Sequence, residues 1–277
     1  MPPTPTQSTS DPLAEGAAPA LYWALERGTA AKMPGHVIAE AHLTIYVDGQ
    51  ELATLACSPR DQAALAVGFL FNEGLLQAWE DVRLLRLNTP GTVVDVFLRF
   101  PLDGAPRRIT LTSGCGGGIT FQDLLADLPP LQTPFTTTPT ALFERMRDMQ
   151  TAAHLYRNVG GVHSALLGTP ERSVFSVEDI GRHNAIDKLA GKALQNGIDP
   201  RDHMLLTSGR ISAEMVHKAR RMGVPLIASR TSPTSTAVLQ AAAWHICVVG
   251  YLRGHGLRVY THPQRLGLEP FGGNTGK

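Results

Sequence analysis

Residues 112–118 read Thr-Ser-Gly-Cys-Gly-Gly-Gly and place a single thiol, Cys115, within a run of glycines. Glycines have no side chains to shield the sulfur, and they adopt positive φ angles freely. The alternating residues 107–112 predict a strand before the cysteine, and residues 119–125 predict the start of a helix after it. Backbone N–H groups in such a turn favour the thiolate, so the pattern predicts a reactive cysteine. A glycine-rich loop with an incidental cysteine is the alternative.

The other two cysteines are expected to be structural. Cys57 precedes a predicted helix cap, and Cys247 lies in an apolar predicted strand. Three widely spaced cysteines without a Cys-x-x-Cys pair argue against a structural zinc site and against a disulfide framework, and they suit a reducing compartment. We therefore expect a cytoplasmic protein with no permanent metal.

Composition also narrows the range of partners. The formal net charge of the 277-residue chain is +1, which gives no electrostatic reason to expect nucleic acid or an anionic membrane surface as a partner. The most apolar stretch, residues 237–252, is too short and too polar to span a bilayer. We expect a protein that binds neither nucleic acid nor membrane.

Three short basic segments could bind an anionic ligand. Residues 207–210 and 229–235 are rich in hydroxyl groups, and they include Arg210 and Arg230. Each is predicted to follow a strand and to precede a helix, where backbone N–H groups bind phosphate. The third segment, Tyr251-Leu252-Arg253-Gly254-His255-Gly256, combines an aromatic ring with a cation, which suits a flat heterocycle carrying phosphates. The alternatives are helix capping by serines and a polar hairpin turn.

A fourth polar cluster surrounds a predicted helix start at residues 178–184. Arg182 offers a planar fork for phosphate or carboxylate, and His183 can exchange a proton near neutral pH. Glu178 and Asp179 could accept hydrogen bonds from a ring edge such as that of guanine. An ordinary helix entry capped by Asp179 is the alternative.

The order of predicted elements divides the chain into three parts. Residues 1–35 are expected to form a disordered tail, because the first twenty are rich in Pro, Ser, Thr and Ala. Residues 36–130 predict a β-rich subdomain with one firm helix and the cysteine loop. Residues 131–277 alternate strands and helices, which predicts an α/β domain with a mixed sheet. Ligands bind such sheets at the carboxyl ends of strands.

These segments together resemble the formate dehydrogenase accessory sulfurtransferases, also called sulfur carrier proteins. The resemblance rests on five segments in the expected order: PRDQAALAVGFLFNEGLL, LTSGCGGG, FSVEDIGRHNAIDKLAG, LTSGRISAEMVHKARRMGVPLIASRTSPTSTAV and VGYLRGHGLRVYTHPQRL. It implies a cytidine-deaminase-like three-layer core without zinc. It also implies a persulfide relay in which a cysteine desulfurase loads Cys115, which passes the sulfur to the molybdenum cofactor of formate dehydrogenase.

The same resemblance implies a ligand and an assembly. The ligand is the bis(molybdopterin guanine dinucleotide) form of the molybdenum cofactor, bound as a substrate, and Tyr251 to Gly256 map to its contact segment. The partners are the cysteine desulfurase and the catalytic subunit of formate dehydrogenase, and the resemblance implies a homodimer. Many members have Cys-x-x-Cys in the loop, whereas Gly118 occupies the second position here. Sulfur release therefore requires an external reductant or direct attack by the acceptor.

Two other functions remain open from the sequence. A Cys–His hydrolase would use Cys115 as the nucleophile and His163 or His183 as the base, and it would form an acyl-thioester. A non-catalytic chaperone would hold the cofactor for insertion and would keep its function in Cys115→Ala.

Overall fold

The structure, a computed structural model, describes residues 16–100 and 128–269 in full and the backbone of residues 110–112 and 118–120. Within these residues no helix is both long and apolar enough to cross a bilayer. The first part of the chain is β-rich with one helix, as the sequence predicts. Its elements are β1 (Ala17–Glu26), β2 (Thr29–Ile38), β3 (Ala41–Val47), β4 (Gln50–Cys57), α1 (Gln62–Asn72), β5 (Val82–Leu87), β6 (Val93–Leu98), β7 (Thr110–Thr112) and β8 (Gly118–Thr120).

The second part alternates strands and helices. Its elements are α2 (Pro139–Ala152), α3 (His154–Asn158), β9 (His163–Gly168), β10 (Ser173–Asp179), α4 (Arg182–Gln195), β11 (Met204–Thr207), α5 (Ala213–Met222), β12 (Leu226–Ser229), α6 (Ser235–Ala243), β13 (Cys247–Arg253) and β14 (Gly256–Val259). Six strands form one sheet in the order β10-β9-β11-β12-β13-β14. The neighbours β11, β12 and β13 are parallel and the outer pairs are antiparallel, which confirms the predicted α/β class with a mixed sheet.

Helices cover both faces of this sheet, because alternate residues of each strand point to opposite faces. On β9, Ala165 and Leu167 pack in one apolar cluster with the buried faces of α4, α5 and α6. Leu166 packs in a second cluster with Leu142 and Met146 of α2. The result is a three-layer core.

The β-rich part joins this core through a close crossing of α1 and α4. A Cβ on Gly68 would lie 1.7 Å from the backbone oxygen of Asp187, and a Cβ on Gly191 would lie 1.9 Å from the backbone oxygen of Ala64. Only glycine at both positions lets the two helix backbones come this close. The remaining strands β4-β3-β6-β5 form a sheet whose apolar cluster includes Leu65 and Phe69 of α1.

Buried charges also lie at this crossing. Lys188 of α4 is fully buried and lies 2.7 Å from a carboxylate oxygen of Asp179. Lys218 of α5 lies 2.7 Å from Asp187 of α4. The carboxylates of Glu73 and Glu214 are 4.0 and 3.9 Å from the same ammonium group. These ion pairs link α1, α4 and α5 inside the protein.

The prediction of a disordered tail over residues 1–35 is wrong for its second half. Strands β1 and β2 pair antiparallel over their whole length and form an independent two-stranded sheet. Arg27 and Gly28, with φ angles of 49° and 85°, form the tight turn between them. The alanine- and proline-rich composition hid the hairpin, because the strands contain few of the β-branched residues that usually signal one. Residues 1–15 lie outside the described residues.

The strand-to-helix turn predicted around Cys115 is also partly wrong. Residues 119 and 120 belong to strand β8, which pairs antiparallel with β7, with Thr112 opposite Gly118. β-Branched Ile119 and Thr120 favour this strand over a helix start. Residues 113–117 therefore connect two antiparallel strands. Because a strand directly follows this connection, a helix N-terminus at that point cannot be the reason for a stabilised thiolate. Cys115 itself lies outside the described residues.

The start of α1 differs from its prediction as well. The sequence predicts Ser58 as the N-cap and Pro59 as the first helical residue, but the helix begins at Gln62. The Ser58 hydroxyl instead accepts a hydrogen bond from the Ile180 backbone at 3.2 Å, and the Ser58 backbone donates to Asp179 at 3.1 Å. A contact with the core therefore overrides the local capping signal.

Candidate functional site

A cavity of about 530 Å³ opens beside the carboxyl ends of β11 and β12 and the first residue of β9. Arg230 follows β12, Arg253 ends β13, and Arg157 lies on α3, so three guanidinium side chains line the same cavity. The wall also includes apolar side chains from α2 and from the segment before β9, among them Met149 and Val162. A cavity with an apolar wall and several cations suits a flat heterocycle with anionic groups.

The turns at this edge of the sheet are held by their own hydroxyl groups. The Ser229 hydroxyl donates to the Gly209 backbone oxygen at 2.6 Å and accepts from the Thr231 backbone at 3.0 Å. The Ser208 hydroxyl accepts from the Ser164 backbone at 2.9 Å. These bonds fix the two predicted turns side by side. Ser212 and Thr234 cap the helices that follow.

Sequence reasoning missed the wall of the cavity that α2 and α3 form. Met149, Gln150, Tyr156 and Arg157 line it, although they lie about 75 residues before Arg230 in sequence. The pattern of α2 predicts a helix but gives no sign that one face of it borders a cavity. The packing of α2 across the sheet is what brings these side chains to the strand ends.

Glu178 fixes the position of α3. Its two carboxylate oxygens accept hydrogen bonds from the backbone N–H groups of Leu155 and Tyr156, both at 2.9 Å. These are the unpaired amides at the start of a helix, where a carboxylate is favoured. A buried carboxylate in the core therefore holds the helix that carries Arg157.

Two histidines lie close to this edge of the sheet. The Nδ1 atom of His163 is 3.5 Å from the Ser208 hydroxyl, and burial together with the charge of Arg182 lowers the pKa of His163. His183 lies between the Ser212 hydroxyl and a Glu214 carboxylate, each 3.3 Å from its Nε2 atom. Burial, with the nearby positive charge of Lys218, lowers the pKa of His183 to about 2. A neutral imidazole of such low basicity is a poor proton acceptor for a hydrolase.

Comparison with known proteins assigns the chain to a family. The model of the FdhD/NarQ family matches residues 38–267, which include Cys115 and the residues that line the cavity. The chain belongs to the FdhD/NarQ family.

Individual relatives agree with this assignment. The chain is 33% identical over 249 residues to the sulfur carrier protein FdhD of Bacillus subtilis, covering 88% of this chain and 95% of that protein. It is 35% identical over 234 residues to the sulfur carrier protein FdhD of a Staphylococcus aureus strain, covering 83% and 88%. The crystal structure of a formate dehydrogenase accessory protein from Desulfotalea psychrophila has the same fold, with a TM-score of 0.77 and 24% identity over 91% of this chain and 99% of that one.

The predicted nucleotide contacts of this FdhD/NarQ protein lie in different places. Arg230 and Arg253 line the cavity. Arg210 follows β11, but its side chain is exposed and is not part of the cavity wall. The contact roles of all these residues remain predictions.

The remaining predicted contacts form the end of the β13–β14 hairpin. Tyr251 has a φ of 53°, and its ring is covered by the guanidinium of Arg258 at 4.2 Å. Leu252 is fully buried in the apolar core, so only its backbone is available to a ligand. Gly254 and His255 form the turn itself, between Arg253 of β13 and Gly256 of β14. The polar hairpin turn that the sequence left open is present.

The acidic pair predicted to bind guanine has another use in this FdhD/NarQ chain. Glu178 holds α3, as described above. Asp179 is fully buried, pairs with Lys188, and accepts hydrogen bonds from the backbones of Ser58 and Gly181. Both carboxylates are committed to internal contacts, so the hypothesis that they read a guanine edge is wrong.

Cys57 and Cys247 are both buried, as expected for structural cysteines. Burial raises the pKa of each thiol to about 12. At neutral pH they hold about a thousandfold less thiolate than an ordinary cysteine.

We expect iodoacetamide to alkylate only Cys115 in the native FdhD/NarQ protein, because the other two thiols are buried and protonated. Peptide mapping after brief alkylation near neutral pH measures this directly. All three cysteines should be labelled once urea unfolds the chain, which serves as the control. Native labelling of Cys57 or Cys247 at the rate of Cys115 would contradict the prediction.

Proposed function

We propose that this chain is a sulfurtransferase that relays sulfur as a persulfide on Cys115. The Cys115 thiolate attacks the terminal sulfur of a cysteine desulfurase persulfide, the sulfur–sulfur bond of the donor breaks, and the donor cysteine leaves as a thiolate. Family membership supports the sulfur chemistry, since curated relatives are named sulfur carrier proteins. The burial of Cys57 and Cys247 leaves Cys115 as the one candidate carrier among the three cysteines.

The acceptor we propose is the molybdenum cofactor in its bis(molybdopterin guanine dinucleotide) form, bound as a substrate for delivery to a formate dehydrogenase. Breaking the Cys115 persulfide to release sulfide takes two electrons and regenerates the thiolate. Gly118 stands where many members have a second cysteine, so these electrons come from an external thiol or from the acceptor. We place the protein in the cytoplasm, as a homodimer that meets the desulfurase and the catalytic subunit of formate dehydrogenase.

The observation that carries the nucleotide part of this proposal is the cavity with Arg157, Arg230 and Arg253. Its apolar wall offers a stacking surface for a guanine base, and the arginines provide charge for a diphosphate. The cavity lies where open α/β sheets bind ligands, outside the carboxyl ends of parallel strands.

We expect GDP to bind saturably, and we expect Arg230→Ala and Arg253→Ala each to weaken binding by about 10- to 100-fold. A hydrogen bond from a charged group contributes roughly 1.5–3 kcal/mol, which corresponds to that range. Isothermal titration calorimetry measures the affinities. Arg172→Ala is the matched control, because this exposed arginine lies in the turn after the opposite end of β9. If all three variants bound GDP as tightly as the wild type does, the nucleotide site would have to lie elsewhere.

The hydrolase alternative loses one of its two bases in the structure. A pKa of about 2 makes His183 unsuited to accept a proton from a thiol near neutral pH. A non-catalytic chaperone would hold the cofactor and keep its full function in Cys115→Ala. The relay requires Cys115, so this variant distinguishes the two functions.

A further inference from the structure

The short helix α3 carries two side chains of the cavity wall, Tyr156 and Arg157. The Tyr156 side chain is 50% exposed, so its ring offers a flat surface to a ligand. The Arg157 guanidinium contacts the Nδ1 atom of His154 at 3.2 Å, and no carboxylate pairs with it among the described residues. An aromatic ring beside such a cation can bind one end of a nucleotide, with the ring under the base and the cation at a phosphate.

The segment around α3 does little to fix where this helix lies. The residue before its first turn, Ala153, has no side-chain oxygen that could cap the helix, and the helix is only five residues long. After it, Gly160 and Gly161 have left-handed φ angles of 79° and 72°. The fully buried Leu155 side chain anchors one point of α3. One apolar anchor does not set the direction of a helix, so polar contacts must do so.

Glu178 provides those polar contacts from a rigid part of the sheet. Its two carboxylate oxygens accept hydrogen bonds from the Leu155 and Tyr156 backbones, both at 2.9 Å. Glu178 is only 7% exposed, and it pairs with Ser164 in the ladder between β9 and β10. The Lys188 ammonium also donates to the Glu178 backbone oxygen at 3.2 Å. A carboxylate whose backbone is fixed therefore holds the first turn of α3.

We propose that Glu178 is a positioning residue for the nucleotide, because it holds α3 so that Tyr156 and Arg157 face the ligand. The proposal rests on the nucleotide site proposed above, and it adds a residue that does not line the cavity. The alternative is that Glu178 contributes only to the stability of the fold. The two roles differ in one respect. A positioning residue acts through Tyr156 and Arg157, so its effect on binding disappears when both are removed.

The test is a set of combined variants of the full chain, measured by GDP titration calorimetry. We expect Glu178→Gln to weaken GDP binding by about tenfold, because glutamine has one acceptor oxygen and its NH₂ group would face the second backbone N–H. Tyr156→Ala with Arg157→Ala should weaken binding by at least that factor, since a cation at a phosphate is lost. Adding Glu178→Gln to this pair should cause no further loss. Adding it to Arg230→Ala should weaken binding by the same factor as in the wild type, because Arg230 follows β12.

Glu144→Gln is the matched control and should bind GDP like the wild type. Glu144 lies on α2, its side chain is 49% exposed, and it does not line the cavity. The urea-unfolding midpoint reports whether Glu178→Gln keeps its fold. Hydrogen exchange of the wild-type chain tests the anchor without any variant. The amides of Leu155 and Tyr156 have no acceptor within their helix, so they should exchange slowly in the GDP complex only if Glu178 holds them.

The outcomes separate this proposal from the nucleotide site itself. Unchanged affinity in Glu178→Gln, with weaker binding in the variant lacking Tyr156 and Arg157, would overturn the role of Glu178 and leave the site standing. A further tenfold loss on adding Glu178→Gln to that variant would show a general structural role instead. Fast exchange of the Leu155 and Tyr156 amides in the GDP complex would also overturn the proposal. A wild-type chain that binds no GDP would overturn both the site and the role of Glu178.

Discussion

Replacing Cys115 by alanine should abolish sulfur loading completely. The relay needs one thiolate to form the persulfide, and the two remaining thiols are buried with a pKa of about 12. After incubation with a cysteine desulfurase and cysteine, intact-mass spectrometry should show a gain of about 32 Da on the wild-type chain for one added sulfur. The Cys115→Ala chain should show no gain, and cells that depend on it should lack formate dehydrogenase activity.

The controls for this experiment are Cys57→Ala and Cys247→Ala, which should load sulfur like the wild type. Peptide mapping of the loaded wild-type chain should place the added sulfur on Cys115. Loading that persists in Cys115→Ala would overturn the assignment of the carrier. Full formate dehydrogenase activity with Cys115→Ala would favour the non-catalytic chaperone.

The second large effect is expected at Lys218, the buried cation between α4 and α5. Burial alone would lower its pKa, but the carboxylates of Asp187, Glu214 and Glu73 raise it above its ordinary value. Lys218→Met would leave these three carboxylates buried without their cation. Removing one partner of a buried ion pair costs about 3–5 kcal/mol, so we expect a loss of that size in the free energy of unfolding. Urea denaturation followed by circular dichroism measures it.

The loss should depend on pH in a defined direction. Burial already raises the pKa of Asp187, and the loss of Lys218 would raise it further. A carboxyl group whose pKa is higher in the folded state than in the unfolded state destabilises the fold at pH values where it is ionised. This destabilisation decreases as the pH falls and the group takes up a proton. The difference between Lys218→Met and the wild type should therefore shrink from about pH 7.5 to about pH 5.

The matched control is Lys192→Met on α4. Lys192 lies 2.7 Å from Asp61, and both side chains are partly exposed. A solvated ion pair contributes about 0–1 kcal/mol, so this variant should lose less than 1 kcal/mol or so. Equal losses at Lys192 and Lys218, or a loss at Lys218 that grows at acidic pH, would contradict the role given to the buried cluster.

Local sequence signals predict the α/β half of the fold well. The strands predicted before residues 207–210 and 229–235 are observed as β11 and β12, and α5 begins after its N-cap Ser212 and ends before Gly223 at a φ of 78°. These elements are specified by signals a few residues apart: a short apolar run, a serine cap and a glycine that tolerates the left-handed conformation. The same local signals place Arg210 and Arg230 in the turns that follow their strands.

Local signals fail where a distant contact decides the outcome. Ser58 has the sequence of a helix cap, but it bonds to residues 179 and 180 instead, and α1 starts three residues after Pro59. Glu178 looks like a ligand-binding acid because it lies in a polar segment that includes Gly181 and Arg182. Its role in holding α3 depends on helices that pack across the sheet, and sequence spacing does not encode that packing.

The sequence by itself determined the family, the carrier cysteine as a candidate, and the alternation of strands and helices that predicts a mixed sheet. It could do so because these depend on short motifs and on the order of elements along the chain, and not on how the elements pack. Only the tertiary structure decided that Arg157, Arg230 and Arg253 share one cavity and that Glu178 and Asp179 are internal. It also decided that Gly68 and Gly191 let two helices touch, since such contacts arise from how elements distant in sequence pack together.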